Sequence, residues 1–361
     1  MKMKKIVCSL MISVLCFMTA IAGVSATSYD TSKINAAYSK VVEYYKNNNN
    51  LNNADKILAV ESLGLEAESN QFDTSSADLS STSLSKKIVT EVLLGVDPTE
   101  DKETLESQID ENGNVEGSWG ASSDVWTLYA LYVTSSEKTN LIANKLNDEL
   151  AASSVCGYEW GGTYYADYDT TGWVIEGLAV VNKEKYATTI NKAIDYIKNN
   201  TTMTTTGWVT ADNVDTQSQV LEGMFAYDTN ALLNDSYTVH PVDCLLNTQL
   251  SDGSFPSGYN AEYTTAEVAK TLGTYKNGSV IIKAKKAYDK MMNPEQPDNT
   301  RPTQPTDTRK DTQSTNKVET TNKKTTSVKT GDETNVVIFA SLSMVSGGLF
   351  LVLRKEYERV H

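Results

Sequence analysis

Arginine is missing from most of this 361-residue chain. Residues 27–292 contain none, and the four arginines all follow that range: Arg301, Arg309, Arg354 and Arg359. The same range holds 37 Asp and Glu residues against 19 Lys residues, so its surface is expected to repel polyanions. Because nucleic-acid binding draws most of its affinity from Lys and Arg side chains that meet phosphates, the composition argues against a nucleic-acid-binding protein.

Cysteine is scarce. Two of the four cysteines, Cys8 and Cys16, lie in an apolar N-terminal segment, so only Cys156 and Cys244 belong to the long acidic range. An exported protein can form a disulfide, and two reduced thiols fit the sequence equally well. The sequence therefore leaves open whether Cys156 and Cys244 pair.

Histidine is scarce as well, and His240 is the one histidine between residues 27 and 292. Asp243 and Cys244 share a helical face with His240, a spacing that a zinc site can use. Pro241, however, marks the start of a helix and makes His240 an ordinary cap position. We therefore predict neither a metal site nor a cofactor.

The first 26 residues are typical of a secretion signal. Three lysines within the first five residues precede an apolar run over residues 6–24, and the small residues Val-Ser-Ala follow at positions 24–26. Signal peptidase cleavage is predicted between Ala26 and Thr27. The rest of the chain is therefore expected to leave the cytoplasm.

The C-terminal segment, residues 327–361, resembles a Gram-positive sortase sorting signal of the LPXTG type. Lys-Thr-Gly-Asp at 329–332 precedes eighteen mostly apolar residues, 336–353, and a basic tail. The resemblance implies that sortase cuts between Thr330 and Gly331 and joins the chain to peptidoglycan. The alternative is an ordinary single-pass membrane helix over 336–353, because a stretch of that length nearly crosses the bilayer core. Both place the domain outside the cell.

Composition separates a stalk from a folded region between these two ends. Residues 293–326 are rich in Pro, Thr, Asn and Lys and have few large apolar side chains. Such a segment cannot gain enough burial to offset the entropy of ordering, so a disordered stalk is predicted. Residues 27–292 are long enough for one large domain with a substantial core.

A repeated unit of about 47 residues dominates residues 27–292. Each copy has a glycine-aromatic turn, a polar stretch, and a helix that carries a small residue before Leu or Met. The four copies run from Gly117-Ser118-Trp119 to Ala130-Leu131, from Trp160-Gly161 to Gly177-Leu178, from Gly207-Trp208 to Gly223-Met224, and from Gly253-Ser254-Phe255 to Thr271-Leu272. Since one such unit cannot bury its own apolar stripe, the copies are expected to stack.

Apolar residues at three- and four-residue spacing predict an inner helix in each copy, and more polar segments between them predict outer helices. Residues 54–63 form an earlier, degenerate inner copy, and residues 34–45 are an example of an outer helix. The small residues Ala130, Gly177 and Gly223 share one register of the inner helices, where glycine costs about 1 kcal/mol unless close packing requires it. The sequence therefore predicts an all-α fold of closely packed helices without β-strands.

The last copy resembles the repeats of known enzymes. Gln249, Gly253 and Phe255 fit the Gln-x3-Gly-x-aromatic repeat of squalene and other terpenoid cyclases and of protein prenyltransferases. The resemblance spans roughly residues 30–292 and implies an α/α toroid of about five to six helical hairpins. The same toroid serves in cobalamin-carrying proteins and complement thioester domains, so the resemblance specifies fold rather than activity.

The sharpest candidate for chemistry is the segment Asp-Tyr-Asp-Thr at 167–170. It resembles the Asp-x-Asp-Asp motif of the cyclases, in which a carboxylic acid protonates an alkene or epoxide; the resemblance makes Asp169 the proton donor, with Asp167 in support. Such an acid needs burial to hold it neutral and a second polar group to aim its proton. Alternatively, Asp169 occupies the position of Ser122 and Asp215 in other copies, so it is also expected to cap its helix.

Two further enzyme classes rest on few residues. A protein prenyltransferase would need a zinc site, which a single histidine does not support. A glycosidase or lyase on an α/α barrel could pair carboxylates among Glu159, Asp167, Asp169 and Glu176, although nothing in the sequence fixes their separation.

Aromatic residues concentrate near the turns that would rim one mouth of the toroid. The candidate ligand-binding residues there are Trp126, Trp160, Tyr164, Tyr165, Trp173 and Glu176. A concave end lined by aromatic rings and carboxylates suits a sugar, a cationic group or an apolar small molecule. The sequence thus favours an exported, wall-anchored binding module whose partners at the anchor are sortase and peptidoglycan. A terpenoid-cyclase-type enzyme and a glycan-active enzyme are the alternatives.

Overall fold

The computed structural model describes residues 29–68, 72, 80–160, 163–200, 213–257 and 260–294, without the side chains of residues 159 and 160. The predicted secretion signal, nearly all of the predicted stalk and the predicted sorting signal lie outside these residues. Among the helices that are described, none combines the length and the apolar character needed to cross a membrane. The predicted membrane helix at 336–353 is outside the described residues.

The described residues are mainly helical, as the repeats predict, and form eleven helices. These are α1 (Thr31–Asn47), α2 (Ala54–Ser62), α3 (Ser81–Leu93), α4 (Thr99–Ser107), α5 (Ala121–Val133), α6 (Thr139–Ser153), α7 (Tyr168–Asn200), α8 (Val214–Asn234), α9 (Pro241–Leu246), α10 (Ala261–Asn277) and α11 (Val280–Met292). The all-α class is therefore confirmed. The degenerate inner copy at 54–63 corresponds to α2.

One short hairpin departs from the purely helical prediction. Strands β1 (Gly157–Trp160) and β2 (Thr163–Ala166) pair antiparallel between α6 and α7. An isolated bridge also joins Gly120 to Tyr158, so the hairpin is tied to the turn before α5. Four residues a strand are too few to show alternation in the sequence, which is why the hairpin was not predicted.

Helices α7 and α8 each contain an inner and an outer helix. The backbone leaves helical geometry at Asn182 (φ −164°) and at Asp228 (φ −156°). Each side chain then caps the helix that follows, since Asn182 Oδ1 accepts the Lys185 N–H and Asp228 Oδ1 accepts the Ala231 N–H, both at 2.9 Å. The inner-to-outer transition therefore recurs at one point of successive copies.

The inner helices are α2, α3, α5, α10 and the first halves of α7 and α8. They are buried on nearly all sides; residues 215–225 of α8 and 264–274 of α10 are continuous buried runs. Helix α2 packs against α3, α3 against α5, α5 against α7, α7 against α8, and α8 against α10. Helix α10 in turn packs against α2. The last helix, α11, contacts α2, α3, α5 and α10.

Glycines sit where two inner helices approach closely. A Cβ atom added at Gly223 would overlap the carbonyl oxygen of Gly172, and one added at Gly172 would lie 2.6 Å from the carbonyl carbon of Gln219. At Gly177 the nearest atom to such a Cβ is Leu128 Cδ2, at 3.1 Å. The predicted role of Gly177 and Gly223 in close helix packing is confirmed, and the approach is tightest between α7 and α8.

The Gln-Gly-aromatic motif fastens the turn before α10. Gln249 Nε2 donates to the carbonyl oxygens of Gly253 and Ala37, at 3.1 and 3.0 Å. The Phe255 N–H then donates to Thr265 Oγ1 in the first turns of α10, at 3.0 Å. The motif therefore joins the end of an outer helix to the next inner helix. It also forms a hydrogen bond with α1, the first helix of the domain in the sequence.

Neither Cys156 nor Cys244 forms a disulfide, and both are buried. Cys156 follows α6 and Cys244 lies in α9. Burial raises the pKa of both thiols, so they stay protonated at neutral pH. The open question of pairing resolves in favour of two separate thiols.

Candidate functional site

The caps of α7 and α8 lie two residues earlier than the sequence pattern predicts. Asp167, not Asp169, caps α7: its carboxylate accepts the backbone N–H groups of Asp169 and Thr170 at 3.3 and 3.2 Å. In the next two copies Asn213 and Asn260 hold the same position. The cap assignment for Asp169 is therefore wrong, because its side chain is not needed by its own helix.

Asp169 instead faces the neighbouring helix α8. Its carboxyl group is closely surrounded by protein, although part of the residue reaches the surface. Burial and the charges of Asp167 and Asp215 raise the pKa of Asp169 well above its usual value, against a hydrogen bond with Thr216 that lowers it. Burial also raises the pKa of Asp167. The surroundings of Asp169 therefore favour the protonated form of its carboxyl group.

Below Asp169, the inner helices bring together five polar side chains that we call the polar centre: Glu176, Gln219, Glu222, Glu267 and Lys270. Each is at most 3% exposed. Glu176, Glu222 and Lys270 stand directly before Gly177, Gly223 and Thr271 in their copies, and Gln219 and Glu267 stand one turn earlier. The repeat register thus places one face of α7, of α8 and of α10 at the polar centre.

An ion pair and hydrogen bonds join the members of the polar centre. Lys270 Nζ lies 3.0 Å from Glu267 Oε2 and 3.9 Å from Glu222 Oε2. Gln219 Nε2 donates to Glu267 Oε2 at 3.1 Å. Glu176 is held apart from these, since Tyr129 donates to Oε2 at 3.0 Å and Ser279 donates to Oε1 at 2.6 Å.

The protonation of the polar centre follows from its charge balance. Burial would lower the pKa of Lys270, but the carboxylates of Glu267 and Glu222 outweigh it, so the pKa is raised and the ammonium persists. Burial raises the pKa of Glu222 well above its usual value and raises those of Glu176 and Glu267. One lysine thus faces three buried carboxyl groups whose raised pKa values favour their protonated forms.

Several polar atoms at this place are buried without a hydrogen-bond partner among the described residues. They are Gln219 Oε1, Glu222 Oε2, Glu267 Oε1 and Trp173 Nε1. Native proteins pair the great majority of such atoms, so each unpaired one needs an explanation, such as a bound water or ion. Four in one cluster single out this place as the candidate binding site.

Aromatic rings and a second ion pair lie beside the polar centre. The rings of Trp126 and Trp173 meet edge to face at a centroid distance of 5.9 Å. Lys86 Nζ lies 4.6 Å from the Trp126 centroid and 2.9 Å from Asp55 Oδ1. Burial would raise the pKa of Asp55, but the Lys86 ammonium group lowers it. Lys270 Nζ lies 5.5 Å from the same tryptophan ring.

The structure thus gathers three of the predicted ligand-binding residues, Trp126, Trp173 and Glu176, around one point. Tyr165 lies on the hairpin, stacked on Tyr158 at 5.6 Å. Tyr164 is 48% exposed, and its hydroxyl approaches Glu149 Oε1 at 3.3 Å instead. The side chains of Glu159 and Trp160 are outside the described residues.

Comparison of the chain with protein-family models, with curated proteins and with solved structures gives no match. The site is therefore interpreted from its own geometry. The described His, Cys, Asp and Glu side chains form no group of three that could hold a metal ion. His240 caps α9 as predicted, since its Nδ1 accepts the Val242 N–H at 3.2 Å.

Sequence reasoning missed Gln219, Glu222, Glu267 and Lys270. The signal was present in the repeat: each residue falls in the register of Glu176 or Trp173, which were selected. Aligning the four copies position by position, instead of searching for aromatic turns, would have placed all of them on one inward face.

Proposed function

We propose that residues 27–292 form a closed α/α toroid outside the cell, which binds a small ligand where its inner helices begin. The order of helix contacts supports the closed ring. Each inner helix packs on the inner helix of the next copy, and α10, the last, packs on α2, the first. Lys56 of α2 and Glu262 of α10 pair across this junction at 2.7 Å. The predicted secretion and sorting signals support display on the cell wall.

Four unpaired buried atoms, three in the polar centre and one on Trp173 beside it, are the observation that carries the binding proposal. A protein that only spaced other domains would gain from an apolar interior, because burying polar atoms without partners costs free energy. Trp173 and Asp169 are only partly buried, as are Lys86 and Asp55. These residues mark the end of the inner helices from which a ligand is proposed to enter.

A thermal-shift screen of the purified protein against glycans, isoprenoid alcohols, corrinoids and small amines tests this proposal. We expect at least one class to raise the melting temperature, and Trp173→Leu to abolish the rise because Trp173 borders the polar centre. Trp119→Leu is the matched control, since Trp119 is 51% exposed. No rise with any class, or a rise that survives Trp173→Leu, would contradict binding at this place.

Asp169 supports a second candidate function, acid catalysis of the terpenoid-cyclase type. A carboxyl group with a raised pKa, with Asp167 two residues away, is what a proton donor requires. Turnover of an isoprenoid that is lost in Asp169→Asn while binding remains would favour this candidate over binding alone.

Replacing Asp169 with asparagine should leave the protein folded. The free energy of unfolding of this variant should rise relative to that of the wild-type protein as pH rises. The raised pKa means that the folded carboxyl group keeps its proton while the unfolded one loses it, so the wild-type protein loses stability above the unfolded pKa of about 4. The asparagine variant has no such loss. Urea unfolding at pH 5 and pH 8 measures this, and a variant that falls behind the wild type at pH 8 would show that Asp169 is charged.

A further inference from the structure

We propose that the ligand is a small molecule with a protonated primary amine, whose ammonium group sits in the polar centre against Gln219, Glu222 and Glu267. This inference rests on the proposed binding function and names the chemical class of its ligand. Two features of the polar centre carry it: the unpaired atoms are hydrogen-bond acceptors, and the carboxyl groups outnumber the lysine.

The unpaired atoms of the polar centre are all acceptors. Gln219 Oε1, Glu222 Oε2 and Glu267 Oε1 accept no hydrogen bond from any described residue. Gln219 Nε2 and Lys270 Nζ are both directed at Glu267 Oε2, and Lys270 Nζ stays 3.9 Å from Glu222 Oε2, which is too long for a hydrogen bond. An ammonium group brings three donors and no acceptor, so it matches three unpaired acceptors.

Charge selects a cation over a neutral or anionic group. Glu176, Glu222 and Glu267 are buried with Lys270 as the one lysine of the polar centre. A second cation would replace protons on these carboxyl groups and form charge-assisted hydrogen bonds, which are stronger than neutral ones. An anion would be repelled by the negative charge of these carboxyl groups.

The described residues favour an organic ammonium over a metal ion. Hard divalent cations take six or more oxygen ligands in close geometry, and no group of three candidate ligands exists among the described side chains. The indole ring of Trp173 borders the same place, and its unpaired Nε1 is a donor. An oxygen atom near the amine of the ligand would accept from it, as in an amino alcohol.

Isothermal titration of the purified protein with ethanolamine tests the proposal. Ethylene glycol is the neutral probe of the same size, and tetramethylammonium carries the charge without N–H donors. We expect ethanolamine to bind and both other probes to bind at least about tenfold more weakly, because a hydrogen bond to a charged group is worth a factor of that size.

Two variants locate the binding. Glu267→Gln and Glu222→Gln keep the size of each side chain and remove its charge, and each should weaken ethanolamine binding at least about tenfold. Glu103→Gln, on the exposed side of α4, is the matched control and should leave binding unchanged. If either variant of the polar centre fails to fold, the comparison of the three probes on the wild-type protein still tests whether the ligand is a primary amine.

The outcomes separate this inference from the proposed function. Equal binding of ethylene glycol or of tetramethylammonium would overturn the amine while leaving a ligand site. Ethanolamine binding that ignores both glutamate variants would overturn the placement in the polar centre. If ethanolamine does not bind while another class of ligand gives a Trp173-dependent thermal shift, the assignment of the ligand as an amine is overturned. If no ligand of any class binds, the proposed binding function itself is overturned.

Discussion

Replacing Lys270 with methionine is expected to lower the free energy of unfolding by about 3–5 kcal/mol, because removing one partner of a buried ion pair leaves the other charge without compensation. The Lys270 side chain is 4% exposed and lies between Glu267 and Glu222. Its loss forces those carboxyl groups to take up protons or to remain as buried charges. Methionine preserves most of the apolar length of the side chain, so the effect reports on charge.

Urea unfolding measures this effect, and Lys276→Met provides the control. Lys276 lies on the same helix but is exposed, where its Nζ contacts Asn35 Oδ1 at 2.9 Å. An exposed pair of this kind is worth well under about 1 kcal/mol. Adding Glu267→Gln to the Lys270 variant should recover part of the loss, since it removes one uncompensated carboxyl group. A loss below about 1 kcal/mol in Lys270→Met would mean that the polar centre is open to water.

Substituting alanine for Gly223 is expected to cost about 3 kcal/mol of unfolding free energy, near the upper end for overpacking. The new Cβ atom would overlap the Gly172 carbonyl oxygen, which is backbone and can move only if α7 and α8 separate. The better helix propensity of alanine, about 1 kcal/mol, offsets the clash only in part.

Gly177→Ala is the matched control, because Gly177 holds the same register one copy earlier. Its nearest neighbour is the end of the Leu128 side chain, at 3.1 Å from the added Cβ, and a leucine methyl group can shift. We expect the free energy of unfolding to change by less than about 1 kcal/mol, since the better helix propensity of alanine and the mild crowding oppose each other. Equal losses in the two variants, measured by urea unfolding, would contradict the close approach of α7 and α8.

The helical part of the fold follows from local patterns in the sequence. Three- and four-residue spacing marks the inner helices, and the shared small residues mark the places of closest approach, such as Gly223. The predicted cap of α7 is wrong by two residues because Asp167 and Asp169 are both good capping residues. Which of them caps the helix depends on where the hairpin before α7 ends. The hairpin itself is fixed by tertiary pairing with Gly120 rather than by its own sequence.

The polar centre was harder to predict than the fold. Glu222 and Glu267 are two of 37 acidic residues in residues 27–292, and nothing local distinguishes a carboxylate that will be buried from one that stays solvated. Burial arises only when helices from different copies meet, as Gln219 of α8 meets Glu267 of α10. Glu176 is predicted from the sequence as one of the carboxylates near the aromatic turns, and that prediction does not extend the register of Glu176 to the other copies.

Zero-length carbodiimide cross-linking of the purified protein, read by mass spectrometry, tests the proposed ring most directly. The Lys56 ammonium of α2 and the Glu262 carboxylate of α10 lie 2.7 Å apart, so an amide should form between the first and the last inner helix. Lys285 and Asp289, one turn apart on α11, give a positive control that any helical fold would yield. A Lys56–Glu262 cross-link within a monomer is the result that we predict. Recovery of the Lys285–Asp289 product without the Lys56–Glu262 product would show that the helices do not close into a ring.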